Sequence, residues 1–134
     1  MHQIEIIYKN NLRTESKHLQ SGNNITTDAP VDNQGMGAAF SPTDLVASAL
    51  GSCLLTIMGI AAKTHGFNID NSMATVTKMM AKNPRRIGEI IVEIDIPHAL
   101  SHKEKMLLKR TAKSCPVHHS LHPNIKKKIN INIK

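Results

Sequence analysis

The sequence predicts a single α+β domain over residues 1–134, and three observations carry that expectation. Residues 89–96, EIIVEIDI, place Ile90, Val92, Ile94 and Ile96 on one face and Glu89, Ile91, Glu93 and Asp95 on the other, the period of a half-buried strand. Residues 45–62, LVASALGSCLLTIMGIAA, run without a charge for the length of a long helix. At the carboxyl end Ile129, Ile131 and Ile133 alternate with Asn130 and Asn132, a second strand with one apolar face. Strand and helix signals come in blocks rather than in a strict strand-helix repeat, which is the α+β pattern. A chain of 134 residues is the usual size of one domain and long enough to bury a core without staples.

The elements follow in order. Residues 4–8 and 12–19 read as strands joined by the turn formers Asn10 and Asn11, with a short third strand at 25–27. The longest loop signal is DAPVDNQGMGAA at 28–39. Ser41-Pro42-Thr43-Asp44 then opens a helix with a Ser cap, Pro at the first helical position and a carboxylate placed to return a hydrogen bond. It runs to about His65 and stops at Gly66.

The uncharged run in this helix meets the minimum length of a membrane span. Ser48, Gly51, Ser52, Thr56 and Gly59 interrupt it and soluble-looking elements flank it, so a buried central helix is expected and no membrane. Residues 73–80 and 87–96 form an antiparallel hairpin about Asn83-Pro84. Ser101 and Glu104 repeat the capping box and start a helix that sends Met106, Leu107 and Leu108 to the core. Pro116 begins a short helix through Leu121, Pro123 prevents its extension, and the alternating strand closes the chain.

Composition narrows the function. Only Tyr8, Phe40 and Phe67 are aromatic, which disfavours a base-stacking platform. The net charge of +7 is uneven: residues 1–50 carry three Lys or Arg against five Asp or Glu, so the positive excess lies in the rest. Lys78, Lys82, Arg85 and Arg86 surround one hairpin turn and Lys126, Lys127 and Lys128 begin the last strand. Without a nucleic-acid-binding module these read as solvated charge and edge protection, and no nucleic-acid partner is expected. Two cysteines rule out a disulfide framework, and the first residues lack the layout of a signal peptide, so the cytoplasm is the expected location.

Each cysteine has its own physical reading. Cys53 lies inside the apolar helix, where burial disfavours a thiolate, so it needs a cation nearby to react. Cys115 stands before Pro116 at the mouth of a short helix, where free backbone N–H groups favour a thiolate, and His118 and His119 can add charge or accept a proton. The alternative is that both are buried small hydrophobes.

SPTDLVASALGSC at 41–53, followed by SCPVHHSL at 114–121 and preceded by RTESKHLQSGNNITTDAPVDNQGMGAAFSP, resembles the OsmC/Ohr family of thiol-dependent peroxidases, especially its OsmC-like members. The resemblance implies antiparallel sheets around a long buried central helix in an intertwined homodimer. It implies a peroxidatic cysteine at Cys53, which becomes a sulfenic acid on meeting an organic hydroperoxide, and a resolving cysteine at Cys115, with an external dithiol restoring both. It also implies an arginine that activates the peroxidatic sulfur, for which Arg13 is the candidate, and an acidic residue that orients the arginine. The Glu common in the family directly after the proline is Thr43 here, and the carboxylate comes one residue later as Asp44. One step along a helix turns a side chain by about 100°. Asp44 either orients Arg13 or only caps its helix, and Glu15, on the face of Arg13, is the alternative partner. Leu54, Ile57 and Met58 are the candidate lining for an apolar substrate tail. The competing function on the same fold is a stress or apolar-ligand-binding protein without peroxidase turnover.

Eight histidines raise a metal reading, with Cys115, His118, His119 and His122 at ligand spacing. No second Cys/His pair stands elsewhere to complete a tetrahedral site, so neither a metal nor another cofactor is expected.

Overall fold

The structure, a computed structural model, describes residues 2–134 and divides into two compact units, one ending at Val46 and the other Ala47–Lys134. The first unit is a three-stranded antiparallel sheet of β1 (Ile4–Asn10), β2 (Arg13–His18) and β3 (Asn24–Asp28) in that spatial order. The β1–β2 turn takes positive φ at Asn10, Asn11 and Leu12. Leu12 at φ 63° therefore belongs to the turn, and β2 begins one residue later than the apolar pattern indicates. β3 extends through Asp28, which the sequence reading gave to the following loop. That loop folds back tightly. A Cβ on Gly35 would stand 1.7 Å from the Ala29 carbonyl oxygen, so only glycine fits there.

Helix α1 (Pro42–His65) begins as its sequence requires. The Ser41 backbone N–H donates to Asp44 Oδ2 at 3.0 Å and the Asp44 N–H donates to Ser41 Oγ at 3.0 Å, a capping box. Gly66, at φ 77°, ends it. By length and composition α1 could cross a membrane. One face is nevertheless committed to the core: Leu50, Leu54 and Met58 are fully buried at four-residue intervals, with Ala47 and Ala62 extending the stripe.

The second sheet takes that stripe. β4 (Met73–Ala81) pairs antiparallel with β5 (Arg86–Ile96), and Ile90, Val92, Ile94 and Ile96 are buried as the alternation requires. A Cβ on Gly51 would lie 2.7 Å from Val76 Cγ2, so the missing side chain is what admits α1 this close to β4. From β5 the chain passes through α2 (His102–Ala112), capped by the expected Ser101 and Glu104 box, and α3 (Pro116–Ser120) to β6 (Lys126–Ile133).

Two expectations are corrected here. The second sheet is mixed, because β6 runs parallel to β5, with Val92 opposite Ile129 and Ile94 opposite Ile131. The helical crossover through α2 and α3 brings the chain back to the starting end of β5, which only a parallel strand can use. Met106 is 48% exposed, whereas Leu108 and Ala112 are buried. Two helical steps turn Met106 about 200° away from Leu108, so both cannot face the core.

Candidate active site

Cys53 lies on the flank of the buried α1 stripe, next to Leu54, half-buried and packed against the core. Cys115 occupies the break between α2 and α3 and is 0% exposed. It caps α3 with its sulfur, which accepts a hydrogen bond from the His118 N–H at 3.4 Å. Both are unlinked thiols of one core cluster, and although they are remote in sequence Cys53 pushes the Cys115 thiol pKa upward.

The electrostatics of Cys115 correct the sequence expectation. Burial is the largest influence and raises its pKa, Cys53 adds to the rise, and the His118 and Val117 N–H groups lower it by less. The start of a five-residue helix does not outweigh the loss of water, so the ground state of Cys115 is the protonated thiol. His118 is half-buried, and burial first, then the charges of Lys127 and His119, hold its pKa below the usual imidazole value. It is therefore neutral at neutral pH and can accept a proton, but it does not supply charge. His119 Nε2 contacts the Lys113 carbonyl at 3.0 Å, and His122 Nδ1 accepts from the Asn124 N–H at 3.0 Å.

In the amino-terminal unit, Arg13 stands opposite Asp28 across β2 and β3. Its Nε donates to Asp28 Oδ1 at 2.7 Å and its Nη2 to Oδ2 at 2.9 Å, the planar two-point geometry that guanidinium and carboxylate share. The Asp28 side chain is 2% exposed, that of Arg13 42%. The Arg13 guanidinium holds the Asp28 carboxyl below the usual carboxylate range, and the N–H groups of Ala38 and Ala39 act in the same direction against the opposing effect of burial.

Asp28 is thus the acidic partner of Arg13, in place of the expected Asp44 or Glu15. Asp44 caps α1, and Glu15 lies 3.8 Å from Lys9 Nζ in an exposed pair. The signal that could have found Asp28 is hairpin register. Thr14 faces Thr27 and Glu15 faces Thr26, so one more step places Arg13 against Asp28.

Of the three proposed lining residues, Leu54 and Met58 are 0% exposed and belong to the core, where they offer no surface to a ligand. Ile57 is half-buried and keeps some.

The family model for OsmC-like protein matches residues 35–130. The chain belongs to the OsmC-like family. A Psychrobacter arcticus 273-4 protein, provisionally described as an osmotic stress induced and detoxification response protein, is 48% identical, with TM-score 0.94 and coverage of 98% of this chain and 96% of that one. An OsmC-like protein from Mycoplasma pneumoniae is 22% identical, with TM-score 0.79 over 99% of this chain and 96% of its own. An organic hydroperoxide resistance protein from Elizabethkingia anophelis is 13% identical, with TM-score 0.78 over 100% of this chain and 96% of its own. At such identities the last two show a shared fold. No curated protein matches the chain.

Proposed function

We propose that this OsmC-like chain is a thiol-dependent peroxidase that reduces organic hydroperoxides. The observation that carries the reading is that Cys53 and Cys115, two reduced thiols, belong to one core cluster and that Cys53 raises the Cys115 pKa. Cys53 keeps exposed surface and Cys115 has none, so the peroxide meets Cys53. The Cys53 thiolate attacks one peroxide oxygen, the O–O bond breaks, and the alkoxide leaves with a proton as the alcohol. Cys53 is then a sulfenic acid. The Cys115 sulfur attacks it, a disulfide forms, and the hydroxyl leaves as water. An external cytoplasmic dithiol reduces the disulfide and is itself oxidised.

On the family resemblance alone, Arg13, held by Asp28 within the amino-terminal unit, is proposed as the activating arginine and a homodimer as the working assembly. The 48% identical relative, provisionally assigned to osmotic stress and detoxification, and the organic hydroperoxide resistance neighbour support this class of activity.

Peroxide consumption with a dithiol reductant tests the reading. The Cys53→Ser variant loses it entirely, and Cys115→Ser, assayed without the dithiol, consumes one equivalent and then stalls with a sulfenic acid that a dimedone probe traps, where wild type ends as the disulfide. Equal multiple-turnover rates for wild type and Cys53→Ser would overturn the proposal. A wild type that consumes no peroxide yet binds apolar ligands would favour the stress or ligand-binding role instead.

A further inference from the structure

β6 is an outer strand of the mixed sheet: β5 pairs with one of its edges, and no strand among the described residues pairs with the other. The Lys134 N–H donates to the Ile96 carbonyl at 3.1 Å, so Lys134 turns its backbone toward β5. Backbone groups alternate sides along a strand, which sends those of Asn132, Asn130 and Lys128 inward to β5 and those of Ile133, Ile131 and Ile129 outward. The free edge thus offers a row of N–H and C=O groups that can template an added strand.

A groove of about 610 Å³ runs along this edge. Its lining takes in Ile129, Asn130, Ile131 and Asn132 in succession, residues of both faces of the sheet, and only an edge presents both. The register with Val92 and Ile94 puts Ile129 and Ile131 on the core face, where Lys109 and Lys113 of α2 line the groove. On the opposite face Asn130 and Asn132 donate to the Glu93 carboxylate.

Lys109 and Lys113 are exposed, four residues apart on one side of α2, and neither forms an ion pair among the described residues. Lys127 shares the core face with Ile129, and its charge is felt at His118, which also lines the groove. A second copy's β6 would bring its own lysines to this cationic edge and be repelled. An extended strand with carboxylates at alternate positions is complementary instead. Side chains two apart on a strand lie about 6.8 Å from each other and the two lysine Cβ atoms about 5–6 Å, a difference that flexible lysine stems absorb. The intervening side chains fall on the side of Asn130, Asn132 and Glu93, where a further carboxylate would meet Glu93.

We propose that the free edge of β6 docks an extended segment of another protein as an added strand, with Asp or Glu at alternate positions facing Lys109 and Lys113 and uncharged or basic residues between them.

NMR titration and calorimetry of the reduced full chain with the end-blocked peptide TETETETE test the site. The peptide binds saturably, shifts the Ile129 and Ile131 amide resonances and slows their hydrogen exchange, whereas the rearranged peptide EETTTTEE binds about tenfold more weakly or worse. N-methylation separates strand pairing from charge. Only one of the two alternating sets of peptide N–H groups faces the edge, so methylating that set, either the Glu or the Thr positions, abolishes binding and methylating the other leaves it nearly unchanged. The Lys109→Gln/Lys113→Gln variant, its fold checked by circular dichroism, loses affinity by about tenfold or more. The proposal fails if TETETETE shows no saturable binding below about 1 mM, or if the rearranged peptide or both methylated forms bind as well as it does. It fails equally if the double lysine variant binds as wild type does, or if the Ile129 and Ile131 amides are already protected from exchange in the free chain, the mark of a second copy on this edge.

Discussion

Closing the Cys53–Cys115 bond should stabilise the chain, and the gain can be worked from the sequence separation. The disulfide closes a loop of about 60 residues, and the loss of freedom in the unfolded chain then amounts to about 4 kcal/mol at 25 °C as a ceiling. With an unfolding entropy of about 2.1 cal/mol/K per residue, 134 residues give about 0.28 kcal/mol/K, so the melting temperature rises by up to about 15 °C. The expected range is about 5 to 15 °C, because any strain in bringing the sulfurs to bonding distance subtracts from the ceiling. The assay is a pair of melts, reduced and diamide-oxidised, at one protein concentration so that assembly contributes equally. Oxidised Cys115→Ser serves as the control and should not shift. The same cycle runs through redox: every 1.4 kcal/mol gained by the fold makes the disulfide harder to reduce by about 30 mV. An oxidised chain with the bond confirmed by mass but no more stable than the reduced one would refute the idea that the fold itself presents the two sulfurs to each other.

Three further outcomes follow from the packing and the charges. Gly51→Ala gains about 1 kcal/mol of helix propensity but drives a methyl into the stiff Val76, at a cost of about 1–3 kcal/mol. Urea melts should show net destabilisation in wild type and a reversal of sign in a Val76→Ala background. Leu54→Ala, at a fully buried site, should cost about 2–5 kcal/mol without changing the preference among peroxides, whereas Ile57→Ala should raise KM for long-chain peroxides with little loss of stability. The folded pKa of Asp28 lies below its unfolded value of about 3.9, so its contribution is complete above that pH and is lost as pH falls through the folded value. Acid titration of wild type against Asp28→Asn should show the variant losing less stability between pH 5 and 2, and parallel curves would contradict the pairing with Arg13.

Signals written within a few residues were legible. Ser41 with Asp44 and Ser101 with Glu104 cap their helices as read, since the partners are three residues apart and need no tertiary context. The buried face of β5 was legible for the same reason, because alternation is local. The direction of β6 was not, as period two is identical in parallel and antiparallel strands and only the length of the α2–α3 crossover distinguishes them. The Arg13–Asp28 pair was hidden by a strand boundary: ending β3 at Thr27 placed the buried carboxylate in a loop. The pairing of the cysteines came from family resemblance alone. No local pattern announces that a residue on α1 will meet one beyond α2.

The asymmetry between the two thiols sets the order of the proposed reaction. A resolving thiol that ionised readily would compete for peroxide, and it would be lost to over-oxidation whenever substrate was abundant. Cys115 avoids this in two ways, being sealed from solvent and held in its protonated form by burial and by Cys53 itself. Once Cys53 is a sulfenic acid the second influence changes, because the neighbouring sulfur is now an electrophile. The Cys115 proton leaves with the hydroxyl as water, and the N–H of His118, already directed at the sulfur, stabilises the charge that develops there. Burial thus slows Cys115 toward the substrate while leaving its reaction with Cys53 intramolecular, and intramolecular reaction is what lets a weakly acidic thiol react in time.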